Sequence, residues 1–295
     1  MARIYPFRAW RYQAAKAGTA LENLLTQPYD KISPAMQERY YQLSPHNLVR
    51  LEKGKPEPGD NGGRNVYARA ARWLEDSIRA GVIAPEAQPA IYPYFQEYTA
   101  PGTKERRVRK GFIALGQVED YAAGIVHRHE QTLSRPKLDR LELLRHTRTH
   151  TGQLFMIYSD PAGEVDRLLD AVAKRQAPQT VEDDYHAVHR LWTVTEAETI
   201  TRLQALLADK KLIIADGHHR YETALAYRDE CRSRLCQGSP QGTRGKPAGQ
   251  ARSDPEAPHE KVMMTFINMD GPGVTILPTH RVVALLPQFS FAAFR

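Results

Sequence analysis

Two histidines and an arginine follow directly after an apolar run in the segment KLIIADGHHRYETAL, residues 211–225. The pattern predicts a buried strand that leads into a helix whose first turn contains His218, His219 and Arg220. Because the first N–H groups of a helix lack partners and the helix dipole is positive there, three basic side chains at that end are unfavourable on their own. A bound anion, above all a phosphate group, would complete such a site, and Gly217 would let the backbone approach it closely.

Asp216 lies at the carboxyl-terminal tip of the same predicted strand. Its carboxylate could orient a histidine or act as a general base, and His218 beside it could take part in the same chemistry. The alternative is an ordinary Asp-Gly turn followed by an exposed pair of histidines. We interpret the segment as a phosphate-binding turn, because two histidines and an arginine together at a helix start are unusual for a plain turn.

A second group of reactive side chains occurs in VHRHEQT, residues 126–132. On a strand, His127 and His129 share one face, and Arg128 and Glu130 share the other. Glu130 could accept the proton of an acceptor hydroxyl, and His129 could contact the same substrate. The alternative is a charged strand end exposed to solvent.

Basic residues beyond this group could also bind phosphate. Lys137 and Arg140 lie near the start of a predicted helix. Together with Arg128 they could neutralise phosphate oxygens, which is the main requirement of phosphoryl transfer. The alternative is that they belong to a solvated helix face.

Metal binding by the histidines is a further alternative. His127 and His129 could pair with His218 or His219 if the fold brought them together, but spacing alone is weak support for a zinc site. We therefore predict no dedicated metal site. Magnesium that enters with a nucleotide is favoured instead, because it needs only one or two carboxylates from the protein.

A third candidate is QPYDKIS, residues 27–33. Pro28 restricts the residue before it to extended geometry, which places Tyr29 and Asp30 on a stiff loop. Tyr29 could stack on a base or a bound amino acid, and Asp30 could bind an amino group or a metal, or rival Glu130 as the base. The alternative is a connector whose tyrosine packs and whose aspartate caps the following helix. Ser33 is predicted to cap that helix.

The elements that must position these residues alternate between helix and strand along the chain. Apolar residues at helical spacing predict helices over 65–78, 134–146, 164–174, 196–208 and 221–235. Short apolar or alternating runs predict strands over 90–99, 108–118, 153–158, 185–194, 211–215, 262–268 and 274–277. This mixture predicts an α/β (α+β) protein with a mixed sheet and flanking helices.

Composition changes near the carboxyl-terminal end suggest three parts. Residues 1–235 are predicted to form the α/β core with an N-terminal extension. Residues 236–258 are rich in Gly, Pro, Ser and Arg without apolar periodicity, which predicts a disordered basic loop. Residues 259–295 resume a folded pattern and stop directly after an apolar stretch. We expect them to be the start of a truncated C-terminal segment.

Charge and composition exclude several classes of protein. The 295 residues include 41 Lys+Arg and 34 Asp+Glu, a net charge of +7. Five of the basic residues lie between Arg232 and Arg252, a stretch without acids, so the excess charge is local and a nucleic-acid partner is disfavoured. No apolar run is long enough for a membrane span and no secretory leader is evident, which favours a cytoplasmic protein. The oligomeric state stays open.

The chain resembles the family called domain of unknown function 1015 almost from end to end. The resemblance is carried by stretches that occur in order along the chain: IYPFRAWRY, QPYDKIS, HNLVRLEKG, HRHEQTLSRPKLDRLELL, LFMIYSD, VMMTFINM and LPTHRVV. In addition, the string DGHHRY of residues 216–221 resembles the signature of the ParB/sulfiredoxin superfamily. This second resemblance implies a ParB/sulfiredoxin-like core with a nucleotide phosphate bound at the turn.

Members of that superfamily include free-serine kinases, enzymes that reduce cysteine sulfinic acid with ATP, and ParB, which binds CTP and DNA. His218 stands where sulfiredoxin has its reactive cysteine, so sulfinic acid reduction is disfavoured. The resemblance then implies a nucleotide-dependent phosphotransferase that uses ATP or ADP with Mg²⁺ on a small hydroxylated metabolite, with free L-serine the best-precedented acceptor. Two alternatives stay open: a non-catalytic nucleotide or nucleic-acid binding module, and a phosphoserine phosphatase-like hydrolase.

The predicted roles follow from these arguments. Catalysis is assigned to Glu130, Asp30, Asp216 and His218. Phosphate and nucleotide binding is assigned to Gly217, His218, His219, Arg220, Arg128, Lys137 and Arg140. Substrate binding is assigned to Tyr29, Asp30 and His129.

Overall fold

A computed structural model describes residues 2–130, 134–237, 254, 256–277, 290 and 292. The strands of this part of the chain are β1 (Ile4–Tyr5), β2 (Trp10–Tyr12), β3 (Ile83–Pro85), β4 (Tyr92–Thr99), β5 (Arg106–Gln117), β6 (Val126–His127), β7 (Leu154–Tyr158), β8 (Gln179–Glu182), β9 (Val188–Leu191), β10 (Leu212–Asp216) and β11 (Lys261–Asn268). The α-helices are α1 (Ala14–Ala17), α2 (Pro34–Leu43), α3 (Val49–Glu52), α4 (Val66–Arg79), α5 (Ser134–Thr147), α6 (Glu164–Arg175), α7 (Ala197–Leu207) and α8 (His218–Gln237).

Nine of the described strands form one mixed sheet. The order is β6-β10-β7-β11-β5-β4-β9-β8, and β1 pairs with β5 beside this path. The pairs β6/β10 and β7/β11 are parallel, and the other neighbours are antiparallel. This arrangement confirms the predicted α/β fold with a mixed sheet and flanking helices.

The main core joins the sheet to α6, α7 and α8. Leu169 of α6, Leu203 of α7 and Tyr221 of α8 are all fully buried in it. From the sheet, Phe112 and Phe266 stack with their ring centroids 5.0 Å apart. Full burial of an apolar side chain of this size stabilises a protein by about 1.5–3 kcal/mol, so this core holds α8 firmly on the sheet.

A second, smaller core joins the N-terminal helices to α5. Leu51 of α3, Leu74 of α4 and Leu143 of α5 pack together in it. The Asn65 side chain caps α4 by accepting hydrogen bonds from the backbone N–H groups of Tyr67 and Ala68, at 3.0 and 2.9 Å. Because α5 packs on both α4 and α8, it connects the N-terminal helices to the edge of the sheet that carries α8.

Three predicted strands differ from the structure. The strand over 126–132 ends at His127, because its pairing with β10 stops there. The strand over 185–194 is shortened to Val188–Leu191. Residues 274–277 form no strand. Instead, the Tyr98 hydroxyl holds that segment through the Gly273 carbonyl at 3.0 Å and Thr275 Oγ1 at 2.8 Å.

The C-terminal part of the described chain contributes a central strand to the sheet. β11, which the sequence assigns to a separate segment 259–295, lies between β7 and β5 in the sheet. Most of the predicted loop 236–258 and most of residues 278–295 lie outside the described residues. Within the described part of the chain, no helix combines the length and the apolar character needed to cross a lipid bilayer.

Candidate functional site

The carboxyl ends of two neighbouring strands bring the candidate residues together. β6 and β10 are parallel, so both strands end at the same edge of the sheet, where ligands of open α/β sheets bind. His129 and Glu130 follow β6, and His218 follows β10. The register of β10 against β7 shifts between Ile214 and Asp216, a bulge of the kind that re-aims a side chain near an active site.

The turn between β10 and α8 depends on glycine. Gly217 has φ +96°, a conformation that strains any L side chain. A Cβ there would lie 3.0 Å from Leu154 Cδ2 and 3.2 Å from the guanidinium carbon of Arg220. The Tyr221 N–H donates to the Gly217 carbonyl at 2.9 Å and so begins the helix. The amino end of this 20-residue helix, where the dipole is positive, therefore lies at the site.

His129, Glu130 and His218 form a compact cluster at that helix end. Glu130 Oε1 lies 3.8 Å from His129 Nε2, and Glu130 Oε2 lies 3.7 Å from His218 Nδ1. The two imidazole rings meet edge to face with their centroids 4.5 Å apart. The Glu130 side chain is 64% exposed, so it is accessible to a ligand from solvent.

The surroundings of His218 favour its neutral imidazole. Burial lowers the pKa of His218, and the neighbouring His129 and His219 lower it as well, while Glu130 and Asp216 oppose them. Its side chain is only 4% exposed. A neutral imidazole keeps one ring nitrogen as an acceptor for a proton, a hydroxyl or a metal ion. His219 in the same turn is partly exposed.

The predicted phosphate-binding cations all have carboxylate partners. Arg220 donates from Nη2 to Asp216 Oδ2 at 2.5 Å, and from Nη1 to the backbone carbonyl of Gln153. The Arg128 and Lys137 side chains both contact Glu222 of α8, at 3.2 and 3.6 Å. Since these pairs fix the cations beside the helix end, a phosphate that binds there would compete with carboxylates for them.

His127 does not join the cluster. The strand that would have put His127 and His129 on one face ends at His127, so the chain turns before His129. The His127 side chain is exposed, and its Nε2 lies 3.1 Å from the Gly124 carbonyl oxygen. The shared-face prediction for these two histidines is therefore wrong.

Arg140 belongs to a separate cavity of about 140 Å³ between α3, α4 and α5. Its Nη1 donates to Glu52 Oε2 at 3.1 Å, and its Nη2 donates to Asp139 Oδ2 at 2.7 Å. The Tyr67 hydroxyl also donates to Asp139, at 2.9 Å. Glu52 is 7% exposed, and its Oε1 has no hydrogen-bond partner among the described residues. Glu52 therefore lines the cavity with one carboxylate oxygen paired to Arg140, while the other oxygen is buried without a partner among the described residues.

Tyr29 lines this cavity. The guanidinium carbon of Arg140 lies 4.1 Å from the centroid of the Tyr29 ring, which lines the cavity. Burial raises the pKa of Tyr29, and the charges of Arg140 and Arg220 oppose that rise. Lys53 fixes the loop by donating to the Tyr29 carbonyl at 3.0 Å. Asp30 is exposed and makes no hydrogen bond or ion pair among the described residues, and its role as a rival to Glu130 stays a prediction.

Three residues of the site and the cavity were not predicted from the sequence. Glu222 lies one helical turn beyond His218, a spacing that could have placed it on the same face. Glu52 gave no signal of its own, because its contact with Arg140 spans 88 residues. His150 lies in the loop that precedes β7. Gly152 is in the same loop, and a Cβ on Gly152 would lie 3.2 Å from the Arg220 side chain. Burial lowers the pKa of His150 to about 4.

Comparison with known proteins identifies a family but no function. A family model described as "Protein of unknown function (DUF1015)" matches residues 4–295. No curated protein matches the chain. No solved structure matches it either.

Proposed function

We propose a function on the premise that the chain belongs to the DUF1015 family of proteins of unknown function, whose model covers residues 4–295. The protein is a nucleotide-dependent phosphotransferase that acts on the hydroxyl group of a small metabolite, and free L-serine is the first acceptor to test. The donor is ATP or ADP with Mg²⁺. The likeness of residues 216–221 to the ParB/sulfiredoxin signature supports this choice.

One observation carries the proposal. The carboxylate of Glu130 lies 3.7 Å from His218 at the amino end of α8. Helix amino ends bind phosphate groups, and phosphoryl transfer needs positive potential around the transferred group together with a carboxylate that orients the attacking hydroxyl. The 64% exposure of Glu130 leaves it accessible to an acceptor.

The proposed reaction assigns each group a task. The acceptor oxygen attacks the terminal phosphorus of the nucleotide, and the bond from that phosphorus to the bridging oxygen breaks. The hydroxyl proton passes to Glu130, and the shortened nucleotide leaves. Arg128, Lys137 and Arg220 stabilise the developing charge, and Gly217 allows the backbone to approach the phosphate.

The cavity at Arg140 supports a small acceptor. Its volume of about 140 Å³ is below the roughly 300–1,000 Å³ of pockets for drug-sized ligands. Arg140 lines this cavity, and its guanidinium group suits the carboxylate of an acceptor.

Two measurements test the proposal. Calorimetry with ATP, ADP and CTP reports nucleotide binding, and we expect the double variant His218→Ala/Arg220→Ala to bind much more weakly than the natural chain. Phosphoserine formation from L-serine and nucleotide reports transfer. We expect Glu130→Gln to lower its rate by about 10²–10⁴-fold, the usual contribution of a general base, with nucleotide affinity retained.

Glu75→Gln is the matched control, because Glu75 is exposed on α4 and lies outside the site. It should leave both measurements unchanged. Equal nucleotide binding by the natural chain and the double variant would remove the assignment. Loss of phosphate from phosphoserine without nucleotide would indicate a hydrolase, and binding to DNA that weakens steeply with salt would indicate a nucleic-acid module.

A further inference from the structure

The cluster of His129, Glu130 and His218 has the composition and spacing of a metal-binding site. Each residue offers one ligand atom, and these atoms all lie within 4.8 Å of one another. The Glu130 carboxylate lies between the two imidazoles and turns one oxygen toward each, at 3.8 and 3.7 Å. Ligand atoms about 2.1 Å from a metal are about 3 Å apart when adjacent and about 4.2 Å apart when opposite. Adjacent ligand atoms of the cluster, up to 4.8 Å apart, would therefore have to draw together by up to about 2 Å around a bound ion.

Neither ring nitrogen of His218 has a hydrogen-bond partner at a favourable distance among the described residues. Its Nδ1 faces Glu130 at 3.7 Å, which is too long for a hydrogen bond. Its Nε2 receives only a 3.5 Å contact from the backbone N–H of His129. With 4% of its side chain exposed, His218 can gain little from water. A buried imidazole in this condition costs free energy that a bound metal ion would recover.

We propose that His129, Glu130 and His218 bind a divalent first-row transition metal ion such as Zn²⁺ or Mn²⁺. Two imidazole nitrogens and one carboxylate oxygen suit these metals, whereas Mg²⁺ and Ca²⁺ prefer sites made of oxygen ligands. Three protein ligands leave at least one coordination position open, as in catalytic metal sites. The open position lies at the amino end of α8, where an anion or an activated water would bind.

The metal-site proposal does not depend on the phosphotransferase proposal. Metal binding needs neither nucleotide nor acceptor, so it is measured in their absence. Glu130 would hold the metal through one carboxylate oxygen and keep the other. If the protein binds a transition metal but transfers no phosphate, only the proposed function fails.

The experiment is a titration of the full chain after a chelator has removed bound metal. We expect one equivalent of Zn²⁺ or Mn²⁺ to bind at least about 100-fold more tightly than Mg²⁺. Replacement of a direct ligand should cost at least as much as the 10–100-fold that loss of an outer-shell partner costs, so His129→Ala and Glu130→Ala should each lower affinity by more than about 10-fold. Visible absorption of bound Co²⁺ should disappear in the same variants.

His127→Ala is the matched control, because His127 is an exposed histidine two residues from His129 and outside the cluster. It should bind metal as the natural chain does. His218→Ala should also lose the metal, but since His218 is buried, the exposed residues His129 and Glu130 decide the result if that variant does not fold. Equal loss in His127→Ala, full binding by His129→Ala, or equal affinity for Mg²⁺ and Zn²⁺ would overturn the proposal.

Discussion

Charged side chains at the site are held by carboxylates before any ligand arrives. Arg128 and Lys137 share Glu222, whose side chain is only 11% exposed, and Arg220 pairs with Asp216. Each ion pair removes part of the side-chain entropy that binding would otherwise cost. A phosphate bound as we propose would meet an ordered set of cations, and its affinity would depend on displacing their present partners.

His150 gives a residue-scale prediction about pH. Burial lowers its pKa to about 4 in the folded state, against an ordinary value of 6.5. Between these values the unfolded chain binds a proton that the folded chain does not. This contribution to stability is therefore complete above pH 6.5 and is lost as the pH falls toward 4, by about 2 kcal/mol between pH 6.5 and 5.

Urea unfolding at both pH values measures this effect, with His150→Gln as the comparison. The variant lacks the titrating group, so its free energy of unfolding should fall less over the same interval. Other histidines contribute equally to both proteins and cancel in the difference. Parallel pH profiles would show that His150 is not shielded from protonation in the folded state.

The connection from β10 to α8 is the element that organises the site. It combines a strand with a bulge, a glycine at φ +96°, and the first turn of a helix that carries His218 and Arg220. The loop before β7 approaches it from the other side, since Gly152 lies against the Arg220 side chain. A small change in this turn should therefore affect both stability and ligand binding.

Gly217→Ala tests that turn, with Gly81→Ala as its control. Both glycines have positive φ, but a Cβ at Gly81 meets nothing within 4 Å, whereas one at Gly217 lies 3.0 Å from Leu154. We expect Gly81→Ala to cost about 1–2 kcal/mol from backbone strain alone. Gly217→Ala should lower the free energy of unfolding by more than Gly81→Ala does, as measured by thermal or urea unfolding. Of the two variants, only Gly217→Ala should weaken nucleotide or metal binding. Equal losses of stability in the two variants would mean that the Leu154 side chain moves aside without a cost in free energy.

The sequence predicts the individual elements of the site better than it predicts the contacts between those elements. The apolar run before Asp216 and the Asp-Gly pair locate the β10–α8 turn, and Ser33 is confirmed as the cap of α2 through its bond from the Met36 N–H at 3.2 Å. The approach of His129 to His218 depends on β6, which is only two residues long and has no periodicity to read. Glu52 and Arg140 meet because α3, α4 and α5 pack together, which local patterns do not encode.

At the scale of the whole molecule, β11 joins the sheet together. It pairs with β7 on one side and with β5 on the other, and nearly all of its residues are buried. A strand that is covered on both faces typically has a nearly continuous apolar sequence, and VMMTFI in residues 262–267 is apolar except for Thr265. The segment 259–277 therefore contributes to the same fold as the residues before 235.

Phe266→Ala tests that role. Phe266 is fully buried and stacks on Phe112, so the change should lower the free energy of unfolding by about 3–5 kcal/mol. Ile276→Ala is the control from the same segment, because Ile276 is 93% exposed and its loss should matter by less than about 0.5 kcal/mol. Urea unfolding compares the two. Similar small costs would indicate that β11 is not needed to hold the sheet together.

The place of β11 also determines when the described sheet can become continuous during synthesis of the chain. In the described structure, β7 and β5 each pair with β11 and not with each other. While the ribosome is still making residues 261–268, the nascent chain therefore holds two incomplete sheets, each with an open apolar edge. Such edges attract other chains, so we expect the nascent protein to be most prone to aggregation in the interval just before β11 leaves the exit tunnel.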